Sequence, residues 1–244
     1  MAVNSRSQHH SGGLSPITDR VLFIDGEAII LDKPAGLPVD PPRDGSLSLH
    51  NHLASLTFGF ERWPVAVHRL DRDTSGCLLL ARNPKAAKRF TEAFEARAVE
   101  KSYLAVVDGV PDAPEGVIDL PLAKRSTAAT GWRMVPDAAG KQAVTHWRLL
   151  AARDGRALLR FTPETGRTHQ LRAHSLHGLG FGILGDPVYS SGADPLWTGG
   201  LLLHARSLSM PRPGKAPAAA IAPVPPRFAQ AGFPDAEALD SSDV

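Results

Sequence analysis

The residues best placed to do chemistry form one run, His68-Arg69-Leu70-Asp71-Arg72-Asp73-Thr74-Ser75-Gly76, which empties into the apolar stretch Cys77-Leu78-Leu79-Leu80-Ala81. A charged loop feeding a buried strand lets a rigid sheet hold one carboxylate, Asp71, among cations, with Gly76 allowing a tight turn. Ionised groups beside an apolar strand are costly to desolvate, so they need partners or a purpose. A carboxylate fixed in this way can serve as nucleophile or base. Taken alone, Asp71 reads as a loop carboxylate capping its own turn, and Asp73 as the cap for Thr74 and Ser75. As a pair, Asp71 and Asp73 suggest hydrolysis of a glycosidic bond, which would demand a special geometry from two residues of one loop.

Two groups of basic side chains accompany the loop. Arg62, Arg69 and Arg72 form one; Arg167, His169, Arg172, His174 and His177 form the other. The three histidines invite a metal, but no carboxylate or thiol at ligand spacing completes a set, so they read as helix-surface or nucleic-acid-facing residues. Gly178-x-Gly180-x-Gly182 follows a helix and not a strand, which excludes a dinucleotide loop. The only cysteine, Cys77, sits inside an apolar run and reads as a small core residue. With one thiol no internal disulfide forms, which fits a reducing, cytoplasmic setting.

The elements that must position these groups are mostly strands. The chain has 244 residues, 43% hydrophobic and 21% charged, with a formal net charge of +2. That composition suits a globular protein and permits a nucleic-acid partner without announcing one. No apolar stretch is long enough to span a membrane. Val21-Leu22-Phe23-Ile24, Asp25-Gly26 and Ala28-Ile29-Ile30-Leu31 read as a hairpin closed by a two-residue turn. A short helix is expected over 48–56 and a strand over 76–82. Asn83 and Pro84 open a helix that carries Phe90 and Phe94 on one face and ends near Arg97. Lys101 to Val107 is a strand, 111–141 reads as turn-rich and irregular, and 143–150 with 156–161 forms a hairpin across Asp154-Gly155. A helix is predicted over 168–177 with Gly178 as its stop, and a last clear strand over 201–210. Hairpins dominate and helices do not alternate with strands, which predicts an α+β fold with a mixed, largely antiparallel central sheet and flanking helices. Residues 1–16 are polar and read as a disordered tail, 17–233 as one catalytic domain, and 234–244 as a frayed acidic tail.

Three segments together resemble the RluA-type RNA pseudouridine synthases. They are the Asp71 loop; Lys101-Ser102-Tyr103-Leu104-Ala105-Val106-Val107-Asp108-Gly109; and Pro163-Glu164-Thr165-Gly166-Arg167-Thr168-His169-Gln170-Leu171-Arg172-Ala173-His174, followed by Gly185-Asp186-Pro187-Val188-Tyr189. Weaker matches extend to Lys33-Pro34-Ala35-Gly36 and Leu203-His204-Ala205. The resemblance implies the pseudouridine synthase fold in its standalone form, without an N-terminal RNA-binding module, acting as a monomer on ribosomal or transfer RNA. It implies Asp71 as the catalytic carboxylate, Tyr103 as the active-site tyrosine and Arg172 as the arginine paired with Asp71. Arg69 is then the residue that fills the space of a flipped base, with Lys33, Arg72, Arg167 and His169 as further RNA contacts.

The implied reaction breaks the N1–C1′ bond of uridine, turns the base, and joins C5 to C1′. It consumes no electrons and no energy carrier, so no cofactor or metal is expected. It does need an ionised carboxylate beside C1′, and a cation within about 4–6 Å keeps a carboxylate charged. The chain departs from the family pattern at Phe181-Gly182 and at Met210-Pro211, which bears on RNA contacts and not on the catalytic three. A non-catalytic RNA-binding or ribosome-assembly factor with the same fold is the competing reading, and the intact Asp71, Tyr103 and Arg172 weigh against it.

Overall fold

The computed structural model describes residues 16–127, 131–192 and 197–241. Twelve strands and four α-helices follow one another as β1 Val21–Ile24, β2 Ala28–Lys33, β3 Val65–Ala66, β4 Ser75–Ala81, α1 Pro84–Glu95, β5 Glu100–Val107, β6 Glu115–Asp119, β7 Leu122–Thr127, β8 Gly131–Pro136, β9 Val144–Arg153, β10 Arg156–Pro163, α2 Gln170–His174, β11 Leu203–Arg212, β12 Lys215–Ile221, α3 Arg227–Gln230 and α4 Ala236–Ser241. Ten strands make one sheet, along the path β1-β2-β4-β11-β5-β10-β9-β6, with β3 beside β4 and β12 beside β11. Every pairing is antiparallel except β4 with β11. The expected mixed, largely antiparallel α+β architecture is therefore what the chain adopts.

Local chemistry explains the main elements. All seven residues of β4 are buried, as a continuous apolar run with neighbours on both edges must be. Gly76 lies within that strand, at φ 104°, and a Cβ there would sit 2.2 Å from the Ala205 carbonyl oxygen. The glycine thus serves the close approach of β4 to β11 more than a turn. Asn83 caps α1 by accepting the Ala86 N–H at 2.9 Å, with Pro84 in the first helical position. Asp154 and Gly155, at φ 49° and 74°, close the β9–β10 hairpin with the left-handed turn that matches strand twist. In the first hairpin the central turn residues are Gly26 and Glu27. The Asp25 carboxylate accepts the N–H groups of Glu27 and Ala28 at 2.8 and 2.9 Å.

Three expectations are corrected. The stretch 111–141 holds β6 and the separate two-stranded hairpin β7–β8, and the polar, unburied run Lys124–Thr127 of β7 hides the pattern. The helix from Gln170 runs through a π-helical turn, Ser175–Leu179, and ends at Gly180 in the left-handed conformation, not at Gly178. Of the acidic segment 234–244, expected to fray, 236–241 is helical. Asp235 takes two hydrogen bonds from Arg153, at 2.6 and 2.7 Å, and Asp240, 9% exposed, accepts from Arg160 and Arg206, each at 2.9 Å. These ion pairs order the segment, while 242–244 and residues 1–15 of the expected N-terminal tail 1–16 lie outside the described residues. The Pro/Ala-rich stretch after Met210 forms β12 against β11. Among the described residues no helix is long and apolar enough to cross a membrane.

Candidate active site

Asp71 lies on the loop between β3 and β4, where its carbonyl accepts the Thr74 N–H at 3.2 Å. The loop is buttressed from beneath. Lys33, at the end of β2 and wholly buried, donates from Nζ to the carbonyls of Pro34, Leu37 and Arg72 at 2.8–2.9 Å, and the Gly36 N–H also reaches the Arg72 carbonyl. Burial pushes the Lys33 ammonium down to about 7, against the fields of Asp73 and Asp71. Lys33 was expected to contact RNA. With its head group enclosed and all three donors engaged, it is instead the post on which the Asp71 loop rests.

Arg172 projects from α2 and is 5% exposed. Its guanidinium forks onto Asp186, Nε to Oδ2 at 2.7 Å and a terminal nitrogen to Oδ1 at 2.8 Å, and presents its remaining nitrogen to Asp71 Oδ2 at 3.2 Å. Burial opposes that charge, yet Asp186 and then Asp71 hold the guanidinium more firmly protonated than usual. Asp186 is itself fixed by the N–H groups of Val188 and Tyr189, at 2.8 and 2.9 Å. The approach to α2 is organised by Gln170, which accepts from the Thr165 hydroxyl and the Arg167 N–H and donates to the Val144 carbonyl and Thr145 hydroxyl. Asp71 and Arg172, separated by 101 residues, are thereby brought into contact.

Tyr103, in register with Ala205 on β11 and Phe161 on β10, joins Asp71, Arg172, Arg69, Lys101 and Arg167 around a cleft of about 130 Å³. Burial, and then the nearby Asp71, raise the Tyr103 phenol above its ordinary value, so it stays protonated at neutral pH. Arg69 is exposed and holds Asp40 at 3.2 Å in a surface pair that solvent makes easy to exchange. Arg72 is exposed and forks onto Asp73 at 3.0 and 3.1 Å. Arg167 donates from Nε to the Gln142 carbonyl at 2.9 Å. Asp73 therefore pairs with Arg72 instead of capping Thr74 and Ser75. It lines a different cavity, beside Gly185 and Arg227, and so is no partner for Asp71 in the paired-carboxylate reading.

Of the second basic group, His169 comes to 3.8 Å from Asp71, and His177 is exposed. His174, expected on a surface, is fully buried between the Thr145 hydroxyl at 2.9 Å and the Leu120 carbonyl at 3.0 Å. Cys77 is a core residue whose thiol burial pushes up to about 12. Reading residues in sequence assigned no role to Asp186, Tyr189, Lys101 or Trp132. Asp186, Tyr189 and Lys101 stand in the matching segments, but nothing in their spacing indicates that Asp186 anchors Arg172.

The profile of the RNA pseudouridylate synthases matches residues 27–177. An uncharacterised RNA pseudouridine synthase of Zymomonas mobilis is 59% identical over 89% of this chain and 99% of its own. The ribosomal large subunit pseudouridine synthase D of the same organism is 37% identical over 69% of this chain, which spans only 55% of that relative. Among solved structures, human RNA pseudouridylate synthase domain-containing 4 superposes with a TM-score of 0.72, at 29% identity, over 87% of this chain and 91% of that one. Fold and matches alike define an isomerase that acts on uridine in RNA. The chain belongs to the RNA pseudouridylate synthase family.

Proposed function

We propose that this chain converts specific uridines of ribosomal or transfer RNA to pseudouridine, with Asp71 as the catalytic carboxylate. The contact of 3.2 Å between Asp71 and the otherwise buried, doubly anchored Arg172 carries the reading. It orients one carboxylate at the floor of a cleft that a single base can enter once flipped out of its stack. Asp71 attacks C1′ or removes the proton at C2′; either route starts from the ionised carboxylate. Tyr103 supplies a stacking face for the uracil, and its phenol, kept protonated by burial, offers a neutral hydroxyl. Arg69 and Arg167 line the opening with positive charge suited to phosphates, the exposed Arg72 lies next to Asp71 in the chain, and Arg69 can leave Asp40 and occupy the space of the flipped base. The sequence relation to a ribosomal large subunit enzyme favours ribosomal RNA as the substrate. A lone buried cysteine is consistent with a reducing, cytoplasmic setting.

Pseudouridine mapping by carbodiimide-dependent reverse-transcription stops, in cells with and without the protein, identifies the site. On a transcript carrying it, Asp71→Asn is expected to abolish isomerisation with RNA affinity nearly intact. Tyr103→Ala is expected to lose far more activity than Tyr103→Phe. Turnover by purified Asp71→Asn removes Asp71 from its role, and an unimpaired Tyr103→Ala removes Tyr103.

A further inference from the structure

His169 is held in place from three sides. Its backbone sits at φ 52°, a left-handed conformation that costs a non-glycine residue energy unless its surroundings enforce it. Its ring stacks on Trp132 of β8, centroids 4.6 Å apart at 28°, and meets the Tyr189 ring edge-on at 5.6 Å. Its Nδ1 lies 3.1 Å from the Tyr189 hydroxyl, and that oxygen accepts the N–H of Met134, also on β8, at 2.7 Å. The hydroxyl proton then has Nδ1 as its acceptor, which leaves the imidazole proton on Nε2. Nε2 points at Asp71 Oδ2 from 3.8 Å, on the same oxygen that Arg172 contacts. Burial lowers the His169 pKa, so the ring is neutral at pH 7 and offers this N–H as its one donor.

We propose that His169 is a positioning residue for Asp71, and that β8 sets it through the Trp132 stack and the Met134–Tyr189 hydrogen bond. The separation of 3.8 Å is one that closes to a hydrogen bond when a substrate fills the cleft. Asp71 then receives two donors on one oxygen, the guanidinium of Arg172 and the imidazole of His169, which together fix its direction. The hairpin β7–β8 is outside the main sheet and touches the site through Trp132 and Met134. Trp132 is 42% exposed and the Lys124 ammonium lies 4.8 Å from its ring centroid, so the face that braces His169 also presents charge and an aromatic edge to a polynucleotide. RNA seated on the hairpin thereby steadies the catalytic carboxylate.

The inference rests on the assignment of Asp71 above, and the test separates the two. Single-turnover rates and RNA affinities are measured for the full chain and for Asp71→Asn, His169→Phe and His169→Gln. His169→Phe keeps a ring against Trp132 and lacks the donor. Its rate at saturating RNA is expected to fall about 10–100-fold, the worth of one hydrogen bond to a charged group, while affinity stays within a few-fold. His169→Gln returns an N–H near the Nε2 position and is expected to recover most of the rate. Nitrogen-15 NMR of the unmodified protein, which needs no variant to fold, is expected to show the Nε2–H tautomer of His169. A wild-type rate in His169→Phe, a loss confined to affinity, or the Nδ1–H tautomer each overturns the proposal. An active Asp71→Asn overturns the catalytic assignment instead.

Discussion

The two carboxylates on Arg172 should separate stability from activity, and Asp186→Asn tests this most directly. The Asp186 side chain is fully buried and accepts two hydrogen bonds from Arg172 and two from backbone N–H groups. Asparagine keeps an oxygen for Val188 and Tyr189 but turns its amide nitrogen towards Arg172 Nε, whose present acceptor is 2.7 Å away. Donor then faces donor, and the guanidinium, 6% exposed in its side chain, loses most of its compensation. Breaking a buried pair from one side costs about 3–5 kcal/mol. That is a large share of the roughly 5–15 kcal/mol that holds a typical domain folded. At about 2–4 °C per kcal/mol for a chain of this size, Tm should drop by roughly 6–20 °C. Asp71→Asn removes one contact of 3.2 Å from a side chain that is 20% exposed, and Arg172 keeps Asp186. It should change stability by less than about 1 kcal/mol while abolishing catalysis. Urea denaturation of both variants, with activity measured in parallel, decides the matter. Equal destabilisation by the two, or a stable and fully active Asp186→Asn, would show that Arg172 is not anchored as described.

Gly76→Ala should destabilise by at least about 3 kcal/mol, because a positive φ and a backbone oxygen 2.2 Å from the new methyl cannot both be relieved without separating β4 from β11; denaturation with an unchanged midpoint would refute it. His204 is fully buried, and burial pushes its pKa down to about 3 from 6.5, so the unfolded chain binds this proton and the folded one does not throughout that window. Stability should therefore fall as pH drops from 6.5 towards 3, with His204 contributing a slope of about 1.4 kcal/mol per pH unit that His204→Gln removes. A variant with the same slope as the parent would place the acid sensitivity elsewhere.

What could be read from the sequence was what depends on neighbours along the chain. Asn83 and Pro84 start α1, and Asp154-Gly155 turns β9 into β10, because capping and left-handed turns are settled within a few residues. The buried run of β4 was visible as continuous apolar sequence. β7 was not, because Lys124, Arg125, Ser126 and Thr127 are not buried and leave no alternation to detect. Lys33 is a cation in a loop motif, and only the fold reveals that three carbonyls converge on it. His174 and the acidic C-terminal segment are misread for the same reason: their partners, Thr145 of β9, Leu120 between β6 and β7, and Arg160 of β10, are distant along the chain. Asp71, Tyr103 and Arg172 were chosen by resemblance, and their convergence on one cleft depends on the order of strands in the sheet.

The pairing of Asp240 with Arg160 and Arg206 also has a consequence for synthesis. Both arginines sit on strands at the centre of the sheet, and the carboxylate that neutralises them is made 80 and 34 residues later. During translation β11 leaves the ribosome before Glu237 and Asp240, the two carboxylates that pair with Arg206, have been made. Until those two carboxylates emerge, burying Arg206 is unfavourable. A pause or a premature stop ahead of them leaves a chain that cannot finish packing around β11, the kind of intermediate on which chaperones and proteases act.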